Sequence, residues 1–273
     1  MLKKITLLFA TVFALHLFDS CTKVPITGRR QMNLLPESTM MGLAITNYQE
    51  FLKTNKVITG TADAEMVKRV GQRIAKAVTA YLTKKNQQKR IAGYHWEYNL
   101  VDDKTVNAWC MPGGKIVVYK GLLPVTQNEN ALAVVMGHEI AHAIARHGNE
   151  RMSEQLALQL SGMGLAVALS SKPQQTQQIF NTAYGVGTTV GVALPHSRFQ
   201  ESEADELGLI FMALAGYDPN EAVAFWSRMK AQSNGAPPVF LSTHPSDESR
   251  IAHVKALIPK ALAFRSTYGL LAN

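Results

Sequence analysis

Residues Glu129 to His147 read ENALAVVMGHEIAHAIARH, and the fold and chemistry of the whole chain are read outward from them. At the centre His138, Glu139 and His142 stand in the order H-E-x-x-H. Residues four apart on an α-helix share a face, so imidazoles at 138 and 142 can aim at a common atom. A zinc ion suits two such nitrogens, and Glu139, one position round the helix, stays off the metal yet reaches a water bound to it. A zinc-dependent peptide hydrolase divides the work in this way, with the carboxylate as general base. The bland alternative is an alanine-rich buried helix that happens to carry two satisfied histidines and a glutamate.

The flanks favour the first reading. Thr126 and Glu129 form a T-x-x-E capping box immediately before the apolar run, which predicts a helix start there. Leu132, Val135, Met136, Ile140 and Ala143 cover much of the circumference, so both histidines are expected inside the protein. Arg146 and His147 fall at the C-terminal end, where cations favour the helix dipole, and Gly148 can close the helix. His147 is therefore expected to be a cap and not a ligand.

A catalytic zinc needs a third protein ligand and an open position. Residues 195–212, PHSRFQESEADELGLIFM, predict a second helix from after Pro195 to Ala215. Glu201 and Asp205 are four apart and share a face. Glu201 can complete a His-His-Glu set, and Asp205 can orient an imidazole by accepting its distal N–H. Glu203 points to another side and is the weaker candidate.

At 273 residues with 47% hydrophobic content, the chain can bury one substantial core, which predicts a single catalytic domain over residues 36–273. The net charge of +8 is compatible with anionic membrane surfaces or acidic clients. The Lys and Arg residues are scattered and accompany no base-stacking motif, so nucleic acid is not an expected partner. Lys3 and Lys4, followed by the apolar residues 5–18 and by Asp19-Ser20-Cys21, read as an export signal over residues 1–20. Cys21 is the expected lipidation site, with plain signal cleavage as the alternative. Residues 21–35 then form a polar tether in which Pro25 and Gly28 discourage regular structure.

Helices are predicted from Pro36 to about Thr54, with Met41, Ile45, Tyr48 and Leu52 at helical spacing, and from Ala62 to Tyr81, with Val67, Val70, Ile74 and Val78 buried. The basic run Lys84 to Arg90 reads as a solvated loop. His95 to Val101 and Lys115 to Tyr119 are the clear strands. Between them NAWCMPGG, residues 107–114, either presents free backbone groups to an extended peptide or is a simple hairpin connection. SGMGLAVALSS, residues 161–171, reads as a close-packed helix, or else, with Gly185, Gly187 and Gly191 as hinges, as part of a mobile lid.

H-E-x-x-H followed by E-x-x-A-D after Ser197-Arg198, together with NAWCMPGGKIVVYKGLL, GYDPNEAVAFW and FLSTHPSDESR, resembles the CAAX-prenyl-protease/HtpX-type zinc metallopeptidase family. The likeness runs from about Pro25 to Ile258 and is nearest to the BepA-like, lipid-anchored periplasmic members. It implies a mostly helical α+β fold of gluzincin type, with a small sheet beside the active-site helix. It also implies one Zn2+ per chain held by His138, His142 and Glu201, Glu139 as catalytic base, and Asp205 behind the ligands. His244 and Arg250, in H-P-x-x-x-x-R, are placed near the reacting carbonyl by the resemblance alone.

The absence of multi-pass hydrophobic segments argues against an intramembrane chamber and a prenylated tripeptide substrate. The expectation is a metalloendopeptidase acting on misfolded or unassembled cell-envelope proteins, anchored through Cys21 as a bacterial outer-membrane lipoprotein on the periplasmic side. The alternative is a latent protease that serves mainly as a chaperone or assembly factor for outer-membrane proteins.

Overall fold

A computed structural model of the chain describes residues 21–159, 173–184, 197–232, 238–244 and 248–269. The expected export signal, the run SGMGLAVALSS and the proposed hinge glycines lie outside these residues.

The segment expected to be irregular pairs with itself. Strand β1 (Cys21–Lys23) runs antiparallel to β2 (Arg30–Met32), with Cys21 opposite Met32. Gly28, at φ +69°, supplies the left-handed turn that the connection needs, and Val24 N–H donates to Arg29 C=O at 2.8 Å. Turn residues here make a hairpin instead of preventing one.

Helix α1 (Glu37–Thr54) follows. Its buried residues are Met40, Ala44 and Tyr48, while Ile45 is 40% exposed. The buried stripe is therefore rotated from the expected one, because this flank of the helix packs on Val101, Met111 and Val117 of the sheet. After β3 (Val57–Ile58), helix α2 (Ala62–Lys84) is capped by Thr61, whose side chain accepts from Ala64 N–H. It buries Val67, Val70, Ile74 and Val78 as the spacing predicts.

Strands β4 (Glu97–Val101), β5 (Ala108–Met111) and β6 (Lys115–Tyr119) complete a sheet of order β3-β4-β6-β5. β4 and β6 are parallel and the other pairs antiparallel. The period-2 alternation of a strand sends Ile116 and Val118 into the main core with α2, and Val117 into the smaller cluster with α1. NAWCMPGG is a hairpin whose turn uses Gly113 (φ +83°) and Gly114 (φ +80°). Its first arm, β5, is an edge strand, and the strand leaving the turn, β6, is paired on both sides, so the stretch is the simple hairpin connection.

The short helix α3 (Leu123–Thr126) precedes the central helix α4 (Glu129–Ala145). The expected capping box does not form. Thr126 ends α3, its hydroxyl donating to Leu123 C=O at 3.0 Å, and Asn128 caps α4 by accepting from Ala131 N–H at 2.9 Å. At the other end Arg146 adopts the left-handed conformation at φ +61° and closes α4. His147 then opens helix α5 (His147–Gln159), so Gly148 lies inside the next helix and closes nothing. Arg146 thus stands at the end of α4 as expected, and a second cation joins it there. Arg90, expected in a solvated loop, is buried and donates to Ile144 C=O at 2.7 Å and Ala145 C=O at 2.9 Å.

The remaining described helices are α6 (Pro173–Tyr184), α7 (Arg198–Leu214), α8 (Glu221–Ala231), α9 (Val239–Thr243) and α10 (Glu248–Tyr268). Ser197 caps α7 by accepting from Gln200 N–H. α4 and α7 meet backbone to backbone: a Cβ on Gly137 would stand 2.8 Å from Gly208 C=O, and one on Gly208 would stand 2.8 Å from His138 N. Only glycine permits that approach, and it brings the acidic turn of α7 against the histidines of α4. The architecture is mostly helical with one small mixed sheet, as expected. Among the described residues, no helix is long and apolar enough to cross a membrane.

Candidate metal centre

α4 buries His138, Glu139 and His142 side by side, and α7 buries Glu201 and Asp205 opposite them. His244, at the end of α9, completes a group of four potential donors, His138, His142, Glu201 and His244, whose ligating atoms all lie within 4.8 Å of one another. Nε2 of His142 is 3.0 Å from Nε2 of His138, and Nδ1 of His244 is 3.2 Å from the same His138 atom. Glu201 Oε2 is 3.4 Å from His138 Nε2, and Glu201 Oε1 is 3.3 Å from His142 Nε2 and 3.0 Å from His244 Nδ1. Ligands about 2.0 Å from a tetrahedral zinc stand about 3.3 Å from one another. The spacings, the burial and the mix of imidazole and carboxylate therefore fit zinc.

The groups behind these donors fix their orientation. Asp205 Oδ1 is 3.0 Å from His138 Nδ1, which leaves Nε2 to face the cluster. Arg250, on α10, is 2.8 Å from both Asp205 Oδ1 and Glu201 Oε2, and its guanidinium lies 3.6 Å over the ring of Trp226. Arg250 is thus brought into the site as expected, bound to both carboxylates and with Nη2 3.4 Å from His138 Nδ1. The ring of Phe240 stacks on His244 at 4.5 Å.

Burial and charge then divide the two histidines of α4. Burial disfavours a charged His138, but Glu201 and Asp205 outweigh it and raise the imidazole to about 9. For His142 burial prevails and pushes the ring well below its ordinary value. Burial also raises Glu139, against the pull of His244 and His138. Glu139 Oε1 is 3.4 Å from His244 Nε2 and makes no hydrogen bond. A buried carboxylate with unspent acceptor capacity beside the cluster is placed to take a proton.

Sequence reasoning did not place His147 and Glu203 here. His147 is fully buried, its Nδ1 is 2.8 Å from His142 Nδ1, and its Nε2 is 2.9 Å from Glu203 Oε2. Glu203 stays out of the donor cluster, as expected, and receives Thr27 Oγ1 at 2.6 Å and Arg29 Nε at 2.8 Å. Helical spacing carries no signal for these contacts, because the break at Arg146 resets the direction in which residue 147 points.

Residues 62–258 match peptidase family M48. Among curated relatives, the Schizosaccharomyces pombe mitochondrial metalloendopeptidase OMA1 is 32% identical, over 92% of this chain and 71% of that protein. The Bos taurus mitochondrial metalloendopeptidase OMA1 is also 32% identical, over 95% of this chain and half of that protein. The Escherichia coli beta-barrel assembly-enhancing protease is 30% identical, over 59% of this chain and 34% of its own length. These matches correct the expected location. The relatives aligned over nearly the whole chain carry mitochondrial names, so the expected location in a bacterial outer membrane does not stand. Cys21 is the first residue of β1. Zinc is the metal that this family uses, and by the family match and the geometry of its buried donors the chain belongs to peptidase family M48.

Proposed function

We propose that the chain is a zinc-dependent endopeptidase for misfolded or unassembled proteins, with one ion per chain held by His138, His142 and Glu201 and with Glu139 as general base. One observation carries this reading: carboxylate oxygens of Glu201, on α7, lie 3.3–3.4 Å from the Nε2 atoms of both α4 histidines, with the Glu139 carboxylate beside them. Zinc bound there supplies a Lewis acid that polarises the peptide carbonyl and lowers the pKa of water to about 7. Glu139 accepts the proton from the attacking water and returns it to the leaving amine. Asp205 holds His138 with Nε2 inward, and Arg250 holds Asp205 and Glu201 in register, so Arg250 is a positioning residue. The substrate adds as an extended strand beside β5, which among the described residues is paired only with β6.

Glu139→Gln tests the reading. The variant is expected to retain one zinc per chain and to lose cleavage of an unfolded protein such as casein by at least about 100-fold. Undiminished cleavage by the zinc-loaded variant refutes Glu139 as the base.

The position of His244 favours a second reading, a latent protease that acts mainly as a chaperone or assembly factor. Its Nδ1 stands among the donors, 3.2 Å from His138 Nε2, where an imidazole can fill the position that a substrate needs. His244→Ala separates the possibilities. A rise in casein cleavage marks an inhibitory ligand, a fall marks help in the transition state, and no change refutes both.

A further inference from the structure

His142 is backed by another imidazole. Its Nδ1 faces Nδ1 of His147 at 2.8 Å, and His147 Nε2 faces Glu203 Oε2 at 2.9 Å. A hydrogen bond between two ring nitrogens needs a proton on one and a lone pair on the other. An ionised carboxylate only accepts, and Glu203 already receives Thr27 Oγ1 at 2.6 Å and Arg29 Nε at 2.8 Å. The proton between His147 and Glu203 therefore belongs to His147 Nε2. In neutral His147 this leaves Nδ1 as an acceptor, so His142 must donate from Nδ1 and keep its lone pair on Nε2, the atom that faces the donor cluster.

We propose that His147 is a positioning residue for the metal: it sets the tautomer and ring angle of His142, and Glu203, clamped by Thr27 and Arg29 of the β1–β2 connection, sets His147. The segment before α1 is thereby part of the metal site's support. His147 is 0% exposed and Glu203 4%, so water does not compete for either bond. Arg29 ties the same carboxylate to α5 through Glu150, at 2.8 Å from Nη2. The inference rests on the proposed ligand role of His142.

The test uses the full chain. Zinc affinity is measured by competition with a chromophoric chelator for wild type, His147→Phe and His147→Asn, and the thermal unfolding of each metal-free protein is recorded beside it. Asn places an amide oxygen near the position of His Nδ1 and can still accept from His142; Phe cannot. Expected is about 10–100-fold weaker binding for His147→Phe, with most of the loss restored in His147→Asn although both metal-free variants unfold at similar temperatures. Equal losses in the two variants, or wild-type affinity in His147→Phe, overturn the proposal.

Nitrogen-15 NMR of histidine-labelled wild-type protein loaded with zinc needs no substitution. It is expected to show His142 protonated at Nδ1 and His147 protonated at Nε2 alone. A doubly protonated His147 overturns the proposal. Failure of wild type to bind zinc defeats the ligand assignment itself, whereas tight binding that ignores residue 147 defeats only this inference.

Discussion

His138 and His142 stand one turn apart on the same helix and face the same cluster, yet they are supported in opposite ways. Behind His138 lies a carboxylate, Asp205, bound to Arg250, and the charges around the ring raise it to about 9. Behind His142 lies another imidazole, His147, with its carboxylate one step further away, and burial pushes the ring well below its ordinary value. Identical side chains one turn apart thus acquire different proton affinities, because burial prevails at His142 while the charges of Glu201 and Asp205 outweigh it at His138. The centre pairs one histidine held by charge with one held by a neutral relay.

The largest expected effect removes the group that spans both sides. Glu201→Ala withdraws a carboxylate that reaches both Nε2 atoms, and zinc affinity read by chelator competition is expected to fall by more than about 100-fold, beyond the usual range for an outer partner. A loss confined to a few-fold would mean that His244 and the two α4 histidines suffice. Next comes Asp205→Asn, which weakens only the His138 side. Zinc binding is expected to drop about 10–100-fold and to drop further than in His147→Phe, because Arg250 is also left buried with one charge fewer. The reverse order would show that the imidazole relay, and not the carboxylate, dominates.

Gly208→Ala acts on both sides alike by forcing α4 and α7 apart. Overpacking there is expected to cost about 1–3 kcal/mol, seen as a lower melting temperature in the metal-free chain, together with weaker zinc binding. The smallest effect is electrostatic. Burial alone would raise Glu203, but hydrogen bonds from His147, Arg29 and Thr27 overcome it and bring the carboxyl from 4.5 to about 2. A depressed carboxyl stabilises fully above its unfolded value and loses that contribution as pH falls. The stability gap between wild type and Glu203→Gln is therefore expected to be constant above about pH 5 and to close between 4.5 and 2 in acid denaturation. A gap independent of pH would show that Glu203 acts through packing alone.

What could be read from the sequence followed from local spacing. H-E-x-x-H and the Glu201–Asp205 pair each obey the helical period, so each half of the site is visible within one short stretch. Their meeting was inferred from chemistry, because zinc needs a third ligand. The structural means of that meeting, Gly137 against Gly208, leaves no trace in either period. The same holds for Arg90, whose place in a basic run suggested solvent while its guanidinium closes α4 from outside the helix. His147 was read as a cap because it follows an apolar helix; the left-handed Arg146 instead ends that helix early and turns His147 inward. His244 and Arg250 came only from family likeness, since one follows a five-residue helix and the other sits early in α10, and neither position has a periodic partner. The reading of location also failed: a short leader pattern said less about it than similarity along the whole chain.

X-ray absorption at the zinc edge tests the central claim most directly, because it reports the atoms around the metal without any substitution. The full chain is expected to bind one zinc with only nitrogen and oxygen neighbours at about 2.0–2.2 Å and with the outer-sphere scattering of at least two imidazoles. Sulfur scattering at about 2.3 Å, or zinc bound without an imidazole signature, would contradict a centre built where α4 meets α7.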